Sequence, residues 1–197
     1  MLKIEYVWRE LLYQAIDKHQ ANFTIINLAR KFKLSTSLIS HALAPLRQLG
    51  MISVGKNKSS VVDTEKLLYF WATRRNLKKD IIYQTYSPLT PFEREGLMPA
   101  DVIPTAYSAY HFYYHELPAD YENIYFYGYQ PAQIKKRFPE SLKKKANLFI
   151  LKPDPYLKSY QRIPTAQIFV DLWNVSDWYA KDFSDALLLK IKEKIGL

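Results

Sequence analysis

The chain contains no cysteine, which excludes disulfides, zinc–thiolate sites and a cysteine nucleophile. Its five glycines are scattered and form no Walker-type phosphate loop. No uninterrupted apolar run approaches the roughly 20 residues of a membrane helix. The opening segment "MLKIEYVWRELL" carries charge throughout and lacks the apolar core of a signal peptide. Acids are missing from one long stretch: none lies between Asp17 and Asp63. A solvated helical surface normally mixes both signs, so a stretch with only positive charge suits a surface that meets a polyanion.

The chain of 197 residues is 48% hydrophobic and 15% aromatic, enough to bury a core and unlike a disordered tail. The net charge is +9, which by itself implies only solubility and a general attraction to anions. Residues 1–66 hold 10 Lys/Arg and 5 Asp/Glu against 18 and 14 in the remainder, so the N-terminal third is the more basic part. These features lead us to expect a soluble cytoplasmic protein with no membrane association.

Ile4, Val7, Trp8, Leu11, Leu12, Ala15 and Ile16 form one apolar stripe at helical spacing. A second helix is predicted after a cap at Asn22 or Thr24. Ser35 is placed to cap a third, whose buried face is Ile39, Leu43, Leu46 and Leu49, with Gly50 as its stop. Pro45 predicts a kink inside that helix. "MISV" and "SSVVD" around "GKNK" read as a hairpin with a basic tip. Three helices followed by such a hairpin give a winged helix-turn-helix over residues 1–63. Residues 64–80 read as a connecting helix capped by Thr64. Residues 81–197 alternate strands and helices as a small α/β unit, so the expected fold class is α+β.

In a helix-turn-helix the second helix lays its N-terminal part in the major groove. Thr36, Ser37, Ser40 and His41 fall on the face opposite the apolar one and are the candidates for reading base edges. Arg30, Lys31, Lys33, Ser35, Arg47, Lys56, Asn57 and Lys58 are the candidates for phosphate contacts, which set affinity and register.

"LSTSLISHALAPLRQLGMISV" resembles the recognition helix and wing of bacterial and archaeal winged-helix regulators, with Leu34, Ser35, Ile39, Ser40, Leu43, Leu46, Gly50 and Ile52 in the pattern positions. Over nearly the full length, "TAYSAYHF", "IYFYGY", "LFILKPDPYL" and "IPTAQIFVDLWN" are similar to AbiEi-type antitoxins of type IV toxin–antitoxin systems. That resemblance implies a C-terminal domain with a degenerate nucleotidyltransferase-like fold and a role as an autoregulator of its own operon.

An active nucleotidyltransferase needs a Gly-Ser helix start and carboxylates converging on Mg²⁺. Here "PTAYS" stands at the first place, and "IYFYGY", at the second, has no acid. Asp154, between prolines, reads as a turn residue. His111 and His115 stand four apart, a weak metal signal without a glutamate between them. We therefore expect no catalysis, no metal and no cofactor. Tyr125, Tyr127 and Tyr129 alternate onto one strand face, and read as core and protein interface rather than as a base-stacking platform. Lys135, Lys136, Arg137 and Lys143 to Lys145 read as solvated charge with a secondary use on a DNA backbone. The expected partner is double-stranded DNA, with a toxin or a second copy of the chain engaging the C-terminal half. The alternative is an RNA-binding or nucleotidyltransferase-related protein acting through that half.

Overall fold

Capping residues decide where the N-terminal helices begin. The computed structural model describes residues 1–55, 58–141 and 143–196. Helix α1 (Lys3–Leu12) runs on as a π-helical turn to Asp17. Thr24 accepts from Asn27 N to open α2 (Ile25–Phe32), and Ser35 accepts from Leu38 N to open α3 (Thr36–Gln48). Lys33, with φ 49 and ψ 43, makes the left-handed corner between them. Helix α3 passes through Pro45 as one helix. The proline lies in its last turns, where its missing N–H removes one ladder bond, and Leu49 N still reaches the Pro45 carbonyl at 3.1 Å. Leu49, expected on the buried face, is 47% exposed because the helix has ended before it. Gly50, at φ 73, takes the left-handed position that stops the chain from continuing as helix.

Strands β2 (Ile52–Val54) and β3 (Ser59–Val61) form the expected hairpin. A Cβ on Gly55 would stand 2.8 Å from the Lys58 carbonyl, so the glycine is what lets the hairpin close there. Strand β1 (Asn22–Phe23), too short to leave a sequence pattern, pairs with β3. The result is an antiparallel sheet in the order β1-β3-β2. Asp63, rather than Thr64, caps α4 (Thr64–Ala72), whose Leu67, Leu68, Phe70 and Trp71 are buried. The helix stops at Ala72, short of the basic segment, and a 3₁₀ turn over Leu77–Asp80 follows.

The C-terminal half holds β4 (Ile81–Thr85), α5 (Pro91–Gly96), β5 (Ile103–Thr105), α6 (Ala106–Tyr114), β6 (Ile124–Tyr127), α7 (Pro131–Arg137), β7 (Leu148–Leu151), α8 (Thr165–Trp173) and α9 (Ala180–Ile195). Its four strands run in the order β4-β7-β6-β5, with β6 and β7 parallel and the outer pairs antiparallel. Every residue of β6 and β7 is buried, as expected of central strands covered on both faces. On one face Tyr127 and Thr105 reach Asp171 of α8. On the other, Ile150 and Ile134 of α7 close over Gly128. The architecture is α+β. No described helix is long and apolar enough to cross a membrane.

One hydrophobic cluster runs from Tyr6 and Trp8 through Trp71 to Phe183 and Ile191 without a break. Buried polar contacts cross the same region. Arg9 of α1 grips Asp154 at 2.5 and 2.8 Å. The Trp71 indole donates to Glu5 at 2.9 Å, and Tyr156 donates through its hydroxyl to the Phe32 carbonyl at the end of α2.

Candidate nucleic-acid interface

Helix α3 owes its orientation to its apolar side. Ile39, Ala42, Leu43 and Leu46 are buried, and the Trp8 indole of α1 donates to the Ala42 carbonyl at 2.8 Å. With that side fixed, Thr36, Ser37, Ser40 and His41 are all exposed. Ser40, Ala44 and Arg47 share a small cleft of about 90 Å³ with Ile25 of α2 and Val54 of β2. The exposed ridge of α3 thus lies directly beside the hairpin. On its other flank His41, Ala44, Pro45 and Gln48 border a cleft of about 380 Å³ with Leu2, Ile4, Trp8 and Arg74.

The basic candidates divide by how their side chains are held. Arg30, Lys33, Arg47 and Lys58 are exposed, and so is the capping residue Ser35. Lys31 differs: its ammonium pairs with Glu10 at 2.6 Å and lies 5.0 Å from the centroid of the Tyr160 ring. That cation is turned toward α1 and the segment after β7. Lys56 and Asn57, both named as phosphate contacts, lie outside the described residues. Across the described part of residues 18–62 no carboxylate interrupts the positive surface.

The residues weighed for chemistry in the second half are occupied otherwise. Asp154 does make a turn, accepting from Tyr156 N at 2.9 Å, but it is also the buried partner of Arg9. His111 Nδ1 lies 2.7 Å from Glu95. His115 is the left-handed residue after α6, so the two histidines do not share a helix face. Among the described residues no three His, Asp or Glu side chains gather as metal ligands. Tyr125 and Tyr127 are core residues at 6% and 3% exposure.

Sequence reasoning missed the buried polar hub. Asp171, fully buried, accepts from Tyr127 Oη at 2.5 Å, Thr105 Oγ1 at 2.7 Å, Gln167 Nε2 at 3.0 Å and Arg75 Nε at 3.3 Å. Arg75 also donates to Asp80 at 2.5 Å. Burial works to lower the pKa of Arg75, but Tyr127, Asp171, Asp80 and Glu5 around it carry the pKa above its ordinary value. Burial first, and then Asp171, pushes the Tyr127 phenol well up. The available signal was Gln167 and Asp171, four apart in the otherwise apolar run "TAQIFVDLW": two polar groups on one turn of a buried helix demand partners. Nothing in the local sequence separates the buried Arg75 from the exposed Arg74 beside it.

In comparison with known proteins, no family model, no curated protein and no solved structure matches this chain.

Proposed function

We propose that the chain is a sequence-specific, double-stranded DNA-binding regulator of the winged helix-turn-helix type, acting by occupying a promoter rather than by catalysis. One observation carries the reading. Two capped helices meet at a left-handed corner, and the second presents an exposed, acid-free ridge beside a hairpin whose turn bears Lys58. The order of helices and the sheet order β1-β3-β2 support this reading, since a hairpin wing beside a groove-seeking helix is the geometry such proteins use. In it, Ser40 and His41 face base edges. Arg30, Lys33, Arg47 and Lys58 contact phosphates. The small hydroxyls of Thr36, Ser37 and Ser40 permit close approach with modest base discrimination. An AbiEi-like antitoxin acting on its own operon, with a nucleotidyltransferase-like second half, is the biological form this proposal takes.

The test is fluorescence anisotropy with duplex DNA from the chain's own promoter and a scrambled duplex, across a salt series. Ser40→Ala/His41→Ala is expected to lower the preference for promoter over scrambled duplex by about tenfold or more, as loss of base contacts does. Lys33→Ala/Lys58→Ala is expected to weaken both duplexes alike and to reduce the salt slope by about one per lysine. Equal binding of both duplexes by the unmodified chain, or indifference to both variants, would sink the proposal.

A further inference from the structure

A second basic surface lies away from α3. Between Lys135 and Lys145 stand Lys135, Lys136, Arg137, Lys143, Lys144 and Lys145 against the single acid Glu140. All six cations are exposed. Two of them rest over aromatic rings, Lys135 at 5.2 Å from the centroid of Tyr83 and Lys144 at 5.4 Å from that of Tyr86.

The surface is not a plain charged face. Two cavities flank it, one of about 670 Å³ and one of about 600 Å³, and both reach Glu140. The first is lined by Tyr83, Tyr125 and Phe149, by Lys135 and Lys145, and by the acids Glu140 and Asp177. The second is lined by Tyr86, Leu89 and Phe138 with Arg137 and Lys143. Both follow β4 and the chain after it, and β4 is the outer strand of its sheet. The surface therefore sets two ring-lined hollows, which meet at Glu140, among cations; together they are termed the groove.

We propose that this groove binds single-stranded nucleic acid. Three polyanions suit the charge, and the hollows choose among them. A duplex offers phosphates but keeps its bases stacked inside, leaving ring-lined hollows unfilled. An acidic peptide offers carboxylates and no planar rings in the same repeat. A single strand offers both, with phosphates for the lysines and unstacked bases whose faces meet the rings and whose edges meet the polar groups of the hollows. This site is independent of the α3 reading, and either can fail without the other.

The experiment measures anisotropy of labelled single strands of about 12 nucleotides, within the range that single-strand grooves cover. RNA and DNA form separate arms. A scrambled duplex and polyglutamate serve as competitors. The full chain carries Lys33→Ala/Lys58→Ala, which weakens any strand or duplex held through the phosphate contacts beside α3, so that binding at the second surface is read separately. Single strands are expected to bind, and Lys143→Ala/Lys144→Ala/Lys145→Ala to weaken them by about tenfold or more. Tyr86→Ala, whose hydroxyl carries no hydrogen bond among the described residues, is expected to weaken them by about tenfold with an unchanged circular dichroism spectrum. Binding of either strand supports the site; a preference for RNA or for DNA identifies the strand, and equal binding marks a site that reads bases and phosphates without the 2′-hydroxyl. Competition by polyglutamate as strong as by the strand itself would mark an acidic-protein surface and overturn the proposal. Equal competition by duplex together with indifference to Tyr86→Ala would reduce the groove to backbone contact, and absence of binding would also overturn it.

Discussion

Asp171→Ala is expected to destabilise the fold by about 3 kcal/mol, the low end of the cost of removing one partner from a buried ion-paired network. The carboxylate is fully buried and accepts four hydrogen bonds, from β5, β6, α8 itself and Arg75 in the segment after α4. Alanine leaves Arg75 paired with Asp80, bonded to the Tyr127 hydroxyl at 3.2 Å and 4.0 Å from Glu5, and it takes the acceptor away from the hydroxyl protons of Thr105 and Tyr127. For a chain of this length the loss corresponds to a Tm lower by roughly 10 °C. Asp171→Asn is expected to cost less, because both hydroxyls can turn to meet the amide. Lys181→Ala provides the contrast: its pair with Asp185 is exposed at both ends and its loss is expected to leave Tm unchanged. Thermal or urea unfolding of the three variants decides the matter. Equal stability of Asp171→Ala and the unmodified chain would show that the hub holds nothing together.

Alkaline unfolding is the second large effect. Tyr107, Tyr121, Tyr125, Tyr127 and Tyr160 are all buried. Burial is the foremost cause that raises each phenol, and Asp177, Glu95, Asp171 and Glu10 beside them add to it. The folded chain keeps these phenols protonated, whereas an unfolded one ionises them near pH 10. Their contribution to stability is therefore fully present below about pH 10 and falls as pH rises toward the folded values. One unit above that point each tyrosine has cost about 1.4 kcal/mol and the five together about 7 kcal/mol, comparable with the whole stability of an ordinary domain. The expected result is a steep loss of helical circular dichroism just above pH 10, with tyrosinate absorbance rising in the same transition. Tyr125→Phe should move that transition upward. Phenols that ionise gradually near pH 10 while the helical signal persists would contradict it.

The extent to which the sequence foretold these features depended on the range over which each is determined. Local chemistry was legible: Thr24 and Ser35 cap the helices proposed for them, Gly50 stops α3, and the alternation around "GKNK" is a hairpin. The exposed serines and His41 followed from the apolar spacing of the same helix. Elements set by distant partners were not legible. Strand β1 exists because β3 lies beside it, and the two residues involved have no pattern of their own. Arg9 and Arg75 carry no local sign of burial, because their partners Asp154 and Asp171 lie 145 and 96 positions away. Lys31 reads as a phosphate contact for the same reason, since Glu10 sits one helix earlier and Tyr160 far downstream.

The contacts of α1 bear on how such a chain can be inherited. A fragment ending at Asp63 carries Arg9 and Glu10 without Asp154 and Tyr160, and leaves the end of α2 without the Tyr156 hydroxyl. Its first helix would present to water a guanidinium and apolar side chains shaped for a neighbour that is gone. Recombination that grafts this N-terminal unit onto an unrelated partner would have to rebuild that helix at the same time. Descent is then expected to carry both halves together, and homologues should vary along the hairpin and the edge strand while the seam between the halves changes only by paired substitutions.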